Sequence, residues 1–266
     1  MKEKGKRIFF VLTVAVLMCG VLRAESDRLS WDELGHTAFK DFTTNLPSRM
    51  WNDSKTIFEK EENLAALLLA GGASIAMHNS NADDHIADNF ERHEVFNDGW
   101  DKTFDAFGGP GAHFAITGLW YLNSLSAKDD LNRERAWTMM TALSITGLTS
   151  IGLKAVVNNE TPNGKILAWP SGHTASSFTV ASVLDELYGP KVGIPAYIAA
   201  ATVGVRMMDS GDHWGSDVLF GATLGWIVGH GVAGKYKEFE IAGFRPEPLT
   251  MIGGYPVTGV NFVKRF

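Results

Sequence analysis

The sequence has little of several patterns that would direct a functional assignment elsewhere. Cysteine occurs once in 266 residues, as Cys19, which excludes an internal disulfide. The 24 Lys and Arg residues are outnumbered by 30 Asp and Glu, and no basic run follows the first seven residues. This charge balance argues against nucleic-acid binding. No internal repeat is visible, and strand-like alternation is missing until the tail, at 255–266.

The N-terminus has the composition of a secretory signal peptide. Basic residues in 1–7 precede an apolar run over 8–22, and Ala24 stands before a polar segment. We expect cleavage near Ala24, with a retained anchor as the alternative because Leu22 lies where a small residue is preferred. Cleavage would remove Cys19 and leave no thiol in the mature chain. The sequence thus predicts export across the inner membrane to the periplasm or cell envelope.

The rest of the chain predicts an all-α helical bundle with a short irregular or β-like C-terminal tail. Five uncharged segments rich in Ala, Gly, Ser and Thr predict closely packed helices: 112–127, 137–153, 174–184, 193–205 and 218–234. Several are shorter than the roughly 20 apolar residues that a membrane span needs. A mean hydropathy of -0.02 is low for a six-span protein. We expect membrane association and leave open whether the helices span.

We divide the sequence into four parts at changes of composition. In chain order they are the signal peptide (1–24), an N-terminal helical region packing on the core (25–111), the catalytic core (112–236) and a C-terminal extension (237–266). Within the N-terminal region, residues 83–105 form a charged amphipathic stretch. A Gly-Gly-Pro-Gly break at 108–111 separates that stretch from the core.

The first candidate cluster is the turn Pro170-Ser171-Gly172-His173, which leads into a helix-forming run. A helix that begins here offers free N–H groups and the positive end of its dipole to an anion. Ser171 adds a hydroxyl donor, and His173 is placed to give a proton to a leaving oxygen. The alternative is an ordinary helix cap followed by a surface histidine.

A second cluster follows the helix over 193–205. His213 and Asp217 lie four residues apart, so they share one face of a helix, where the carboxylate can orient the imidazole. Arg206 offers a fork of donors for phosphate oxygens. The alternative is a capping histidine with a snorkelling arginine. Lys154 lies at the end of an earlier apolar segment, and taken by itself it favours an interfacial lysine over a functional one.

Together these clusters resemble the signature of the type 2 phosphatidic acid phosphatase superfamily, which includes the vanadium haloperoxidases. Lys154 and Pro162 match its first element, 170–173 match the second in full, and the third matches at Arg206, His213 and Asp217. The chain departs from the family pattern at three points. Thr161 stands where the family has arginine, Val205 replaces a serine, and six residues instead of five separate Arg206 from His213.

The resemblance implies a phosphatase that needs no metal or other cofactor. It assigns His213 as nucleophile, Asp217 as its orienting partner and His173 as general acid. Lys154, Arg206, Ser171 and the Gly172 amide would hold the phosphoryl oxygens, and Thr161 stands at a phosphate-binding position. The expected substrate is a lipid phosphate such as phosphatidate or a polyprenyl diphosphate, met at a membrane surface, with a small phosphate ester as a further possibility. The alternatives are a weakened or inactive binding protein of the same fold and a vanadium haloperoxidase.

Overall fold

The computed structural model describes residues 29–234, 245–252 and 255–263. The predicted signal peptide and Cys19 therefore lie outside the described residues. Ten α-helices occur within 29–234, in the order α1 Trp31–Lys40, α2 Leu46–Phe58, α3 Glu61–Asn79, α4 Ala82–Arg92, α5 Asp98–Gly108, α6 Pro110–Ser126, α7 Asp130–Val157, α8 Gly172–Tyr188, α9 Pro190–Asp209 and α10 Gly215–Val232. A π-helical turn, Asp41–Asn45, joins α1 to α2.

The predicted all-α class is confirmed, and α6 to α10 include nearly all of the five segments expected to be helical. The amphipathic stretch 83–105 is divided between α4 and α5. Asn97 begins α5 as its N-cap, since its side chain accepts hydrogen bonds from the amides of Gly99 and Trp100. The break expected at 108–111 separates α5, which ends at Gly108, from α6, which has Pro110 in its first turn.

Helices α8 and α10 pack closely against each other, and glycines of α10 make this close approach possible. A Cβ atom on Gly221 would lie 2.6 Å from the carbonyl oxygen of Ser171. On Gly225 it would lie 2.2 Å from the carbonyl oxygen of Ala175, and on Gly229 2.5 Å from the Cβ of Ser182. The three glycines are spaced four residues apart and line one face, so the two backbones can touch over their whole length.

The main hydrophobic core draws on both halves of the chain. Leu143, Val183 and Leu224 come from α7, α8 and α10, and each is at most 1% exposed. Ile57 of α2 and Ala66 of α3 are buried in the same cluster. The N-terminal helices therefore help to hold α7, α8 and α10 in place, and with them the helix ends that carry the motif residues.

A two-stranded antiparallel hairpin follows the helices. Strand β1 covers Arg245–Ile252 and strand β2 covers Tyr255–Val263. Arg245 pairs with Val263, and the register shifts between Leu249 and Met251. This hairpin is the β-like tail that the sequence predicts.

Among the described residues, α7 is long and apolar enough to cross a membrane. In its most apolar 18-residue window, 39% of the residues are buried inside the protein. The same length and composition occur in core helices of soluble proteins, so α7 alone does not establish a membrane span.

Candidate active site

Chain direction brings the motif residues to one end of the helical bundle. Helices α7 and α9 end where the neighbouring α8 and α10 begin, because consecutive helices joined by short connections run antiparallel. A hydrogen bond from the Ser171 amide to the carbonyl oxygen of Asp217, 3.1 Å long, joins the starts of α8 and α10. The clusters predicted from the sequence therefore lie side by side.

Ser171 is the N-cap of α8 and is fully buried. Its Oγ accepts a hydrogen bond from the Thr174 amide at 3.3 Å and lies 3.0 Å from the Thr174 hydroxyl. Gly172 occupies the first position of the helix. The first amides of an α-helix have no carbonyl partner four residues back, so this end of α8 presents N–H groups and a partial positive charge.

His213 and Asp217 form the expected pair. The His213 Nδ1 lies 3.1 Å from Asp217 Oδ2, which also accepts a hydrogen bond from the Trp214 amide at 3.0 Å. Asp217 is fully buried, and its Oδ1 has no hydrogen-bond partner among the described residues. Within the same part of the chain, His213 Nε2 also has no partner. A carboxylate on Nδ1 fixes the imidazole and leaves the other nitrogen available to a ligand.

Arg206 reaches this end from the last turn of α9, but carboxylates already surround it. Its Nε donates to Asp101 at 2.6 Å, and its Nη1 lies 3.2 Å from Asp105 and 3.0 Å from Asp212. Burial acts against the charged guanidinium, yet the hydrogen bond that Arg206 donates to Asp101 and the nearby negative charges outweigh it and raise the pKa of Arg206. Arg206 is thus a buried permanent cation, as a phosphate-binding role requires.

His173 lies beside Arg206, with its Nε2 3.4 Å from Asp105 Oδ1. Burial lowers the pKa of His173. Asp105 and Asp212 oppose this effect, while the nearby His213 and Arg206 act in the same direction as burial. A second histidine, His113 of α6, packs close by, with its Nδ1 3.1 Å from the Ser176 hydroxyl. Burial, with a smaller contribution from His173, lowers the pKa of His113 to about 4, so this imidazole is neutral near pH 7.

Comparison with known proteins identifies the family of this chain. The sequence profile of the PAP2 superfamily, the type 2 phosphatidic acid phosphatases, matches residues 35–239. The chain belongs to this superfamily. The resemblance drawn from the three motif clusters is therefore confirmed.

Similar proteins include enzymes named for lipid phosphates. A lipid A 1-phosphatase of Porphyromonas gingivalis is 32% identical over 108 residues, which are 36% of this chain and 24% of that protein. The phosphatidylglycerolphosphate phosphatase of Bacillus subtilis, a transmembrane PAP2 enzyme, gives a TM-score of 0.52 at 20% identity over 68% of this chain and 100% of that one. Aquifex aeolicus LpxE gives a TM-score of 0.45 at 23% identity, covering 56% and 94%. The match to the curated relative thus spans about a quarter of its length.

At the position of the missing PAP2 arginine, Thr161 organises a turn. Its amide donates to the carbonyl oxygen of Lys165 at 2.8 Å, and its buried Oγ1 accepts from the Lys165 amide at 2.9 Å. Its hydroxyl donates to Asn163 Oδ1 at 2.7 Å. All of these groups belong to residues 161–165, so the hydrogen bonds found for Thr161 in the described chain fix the local backbone.

Lys165 reaches the site indirectly, through Asp212. Its Nζ donates to Asp212 Oδ1 at 2.7 Å, and the other oxygen of Asp212 contacts Arg206. Burial would raise the pKa of Asp212, but hydrogen bonds from Lys165, Asn163 and Ser210 outweigh it and lower the pKa to about 2. Asp209, the other acidic residue of this turn, points away and accepts from the Val95 and Phe96 amides.

Lys154 is placed at the same end but is engaged with backbone. Its Nζ donates to the carbonyl oxygens of Leu167 and Ala168, at 2.5 and 3.0 Å. Lys154 also interacts electrostatically with Asp217. An ammonium has three donors and the two carbonyls use two of them, so the third N–H of Lys154 can donate to a phosphoryl oxygen.

Asp101 and Asp105 are site residues that the sequence reasoning missed. Both lie on α5, four residues apart on one helical face, and both contact Arg206. Their spacing within the amphipathic stretch 83–105 was the available signal. It could not show that this face meets the guanidinium, because the contact joins residues about a hundred positions apart.

Proposed function

We propose that this protein hydrolyses the phosphate group of a membrane lipid through a phosphohistidine intermediate. The observation that carries the proposal is the His213–Asp217 pair, whose second imidazole nitrogen has no partner in the described chain and which lies beside a helix N-terminus and a buried arginine. A nucleophile oriented by a buried carboxylate, with donors ready for the phosphoryl oxygens, is the arrangement that phosphoryl transfer needs.

In the first step, Nε2 of His213 attacks phosphorus and the bond from phosphorus to the leaving oxygen breaks. Asp217 orients the imidazole and stabilises its positive charge, while His173 gives a proton to the leaving oxygen. In the second step, water loses a proton to His173 and displaces His213 from phosphorus, which releases inorganic phosphate. The site residues proposed to hold the phosphoryl oxygens are Lys154, Arg206, Ser171 and the Gly172 amide.

A lipid substrate is supported by the names of the similar enzymes and by apolar side chains on the helix surface. Leu148 and Ile151 of α7 are 63% and 64% exposed, and Ile194 and Ile198 of α9 are 60% and 63% exposed. Large exposed apolar areas mark surfaces that bind protein or lipid. Together with the predicted signal peptide, they favour a protein held at a membrane of the cell envelope and facing the periplasm.

A catalytically weakened binding protein of the same fold is the second candidate. Thr161 holds a turn where PAP2 enzymes place an arginine, and Arg206 is hydrogen-bonded to carboxylates. Losing one preorganised donor to the transition-state charge costs roughly a hundredfold or more in rate. This reading predicts lipid binding with little turnover.

The test is phosphate release by the purified protein from phosphatidate, a polyprenyl diphosphate and a soluble aryl phosphate. The proposal expects release from a lipid phosphate, and a loss of at least about a thousandfold in His213→Ala. His36→Ala, at an exposed histidine of α1, is the matched control and should retain full activity. A chelator should leave the rate unchanged. Phosphate release that survives His213→Ala would contradict the mechanism, and binding without release by the folded protein would favour the second candidate.

A further inference from the structure

One oxygen of Asp105 lies between the two groups that would receive the substrate. Asp105 Oδ1 is 3.2 Å from Arg206 Nη1 and 3.4 Å from His173 Nε2. In the proposed reaction, the guanidinium binds a phosphoryl oxygen and the imidazole gives its proton to the leaving oxygen. The carboxylate oxygen therefore occupies the space in which the substrate's own oxygens would lie.

The charges around Arg206 make entry of a phosphate unfavourable in this arrangement. Three carboxylates, those of Asp101, Asp105 and Asp212, contact a single guanidinium, and Lys165 adds one further cation. A phosphate monoester is mostly a dianion at neutral pH, so it meets excess negative charge at close range. Substrate binding requires that at least one carboxylate leave.

Of the carboxylates around Arg206, that of Asp105 is displaced most easily. Asp212 is held by Lys165, Asn163 and Ser210 as well as by Arg206. Asp105 has a side chain that is 54% exposed, and both of its contacts in the described chain are longer than 3.1 Å. Breaking these two contacts costs less than removing a fully hydrogen-bonded carboxylate.

We propose that Asp105 competes with the phosphate group of a ligand for Arg206 and so keeps out ligands that bind through that group alone. The inference rests on the proposed function and adds the reason why inorganic phosphate is a poor ligand while lipid substrates are admitted. Displacing Asp105 costs the same free energy for every ligand, and inorganic phosphate or a small ester has little other binding energy to offset it. A lipid phosphate gains additional binding energy from its acyl chains, and remote binding energy of this kind can offset an unfavourable step at the reacting centre.

The experiment compares Asp105→Asn with Asp88→Asn, which removes the same charge from an exposed position on α4. Three quantities are measured in mixed micelles for each protein. They are kcat/KM for phosphatidate, kcat/KM for a soluble aryl phosphate, and the inhibition constant of inorganic phosphate. Asp105→Asn should tighten phosphate inhibition about tenfold and raise kcat/KM about tenfold for the aryl phosphate and by a comparable factor for phosphatidate, because the carboxylate has to leave for either substrate. Asp88→Asn should match the wild type.

Two results would overturn the proposal. Phosphate inhibition and kcat/KM for the aryl phosphate that are the same in both variants would show that Asp105 does not compete for the site. A fall in kcat for every substrate, with a displaced acidic limb of the pH profile and unchanged phosphate inhibition, would show that Asp105 instead supports His173.

A binding measurement separates this inference from the proposed function. Orthovanadate is titrated against the thermal unfolding temperature of the wild type and of both variants, with no substrate present. Tighter vanadate binding by Asp105→Asn alone would support the competition even if no substrate were hydrolysed. Equal vanadate binding by all three proteins would overturn it, and absent turnover by the wild type would count only against the proposed function.

Discussion

Two histidine–carboxylate pairs lie at opposite ends of the helix pair α8 and α10. At one end, His213 Nδ1 lies 3.1 Å from Asp217. At the other end, His230 Nδ1 lies 2.7 Å from Glu186 Oε1. Both carboxylates are buried. The residue types are nearly the same, but the surroundings of the two imidazoles differ.

The difference lies in the second imidazole nitrogen and in the surrounding charge. His230 Nε2 lies 2.8 Å from the hydroxyl of Tyr197, which itself donates to Ser182, and His230 is 1% exposed. His213 Nε2 has no such partner in the described chain, and the buried cation Arg206 lies at the same end of the bundle. A histidine–carboxylate pair therefore becomes a candidate nucleophile only where a nitrogen and an anion-binding surface are both available.

The His230–Glu186 pair, called the distal pair, has together with Asp185 the composition of a metal site. Ligand atoms of Asp185, Glu186 and His230 lie within 4.8 Å of one another. A metal could use His230 only if the imidazole gave up a hydrogen bond, because both of its nitrogens are engaged. We interpret this group as a buried polar network that holds the far ends of α8, α9 and α10 together.

The sharpest test of the comparison is Asp217→Asn. The amide keeps the size of the carboxylate but removes the charge that stabilises the His213 imidazolium. We expect kcat to fall by about ten-thousandfold, as for other histidines that lose an orienting carboxylate. Phosphate release is measured together with the thermal unfolding temperature. A kcat within tenfold of the wild type would show that Asp217 only caps α10 through the Trp214 amide.

A substitution midway between the two pairs should affect both ends. Gly225→Ala places a Cβ atom 2.2 Å from the carbonyl oxygen of Ala175, so the two helices must separate. We expect a loss of about 3 kcal/mol in the free energy of unfolding together with lower activity. Gly152→Ala is the matched control, because nothing lies within 4 Å of its added Cβ on α7. Equal stability of the two variants would show that the glycine contacts are not needed for close packing.

At the distal end, Glu186→Gln should lower stability without changing chemistry. The substitution weakens a charged hydrogen bond to a buried histidine, which typically contributes about 2 kcal/mol. For a chain of this size, the thermal unfolding temperature should fall by about 4–8 °C. The kcat measured well below that temperature should stay within about twofold of the wild type. A large loss of kcat without loss of stability would mean that the distal pair acts on the site.

The sequence was sufficient for the fold class and for the convergence of the motif residues. Long uncharged segments with small residues predict helices, and the alternation of their direction brings His173, Arg206 and His213 to one end. The interpretation of the tail as β-like is confirmed as well. These features depend on local patterns and chain direction, which one sequence contains.

Other features depend on which faces meet, and no local pattern reports that. The i,i+4 spacing of Asp101 and Asp105 is visible in the sequence, but their contact with Arg206 arises only when α5 packs beside α9. The same limit applies to Thr161. The sequence shows that Thr161 replaces the arginine of the family pattern, whereas its role in fixing the turn with Lys165 is seen only in the hydrogen bonds.

The smallest expected effect concerns how His113, at the end of the bundle that carries the motif residues, changes the stability of the protein at acidic pH. His113 has no carboxylate among its described contacts, and its pKa of about 4 lies below its ordinary value of 6.5. The unfolded chain therefore binds more protons than the folded protein between these values, so stability falls as the pH drops from about 6.5 to about 4. His113→Gln cannot bind that proton, and its unfolding temperature should fall less over the same range. Parallel curves for the two proteins would show that His113 titrates normally and that the site end is more open to water than its burial suggests.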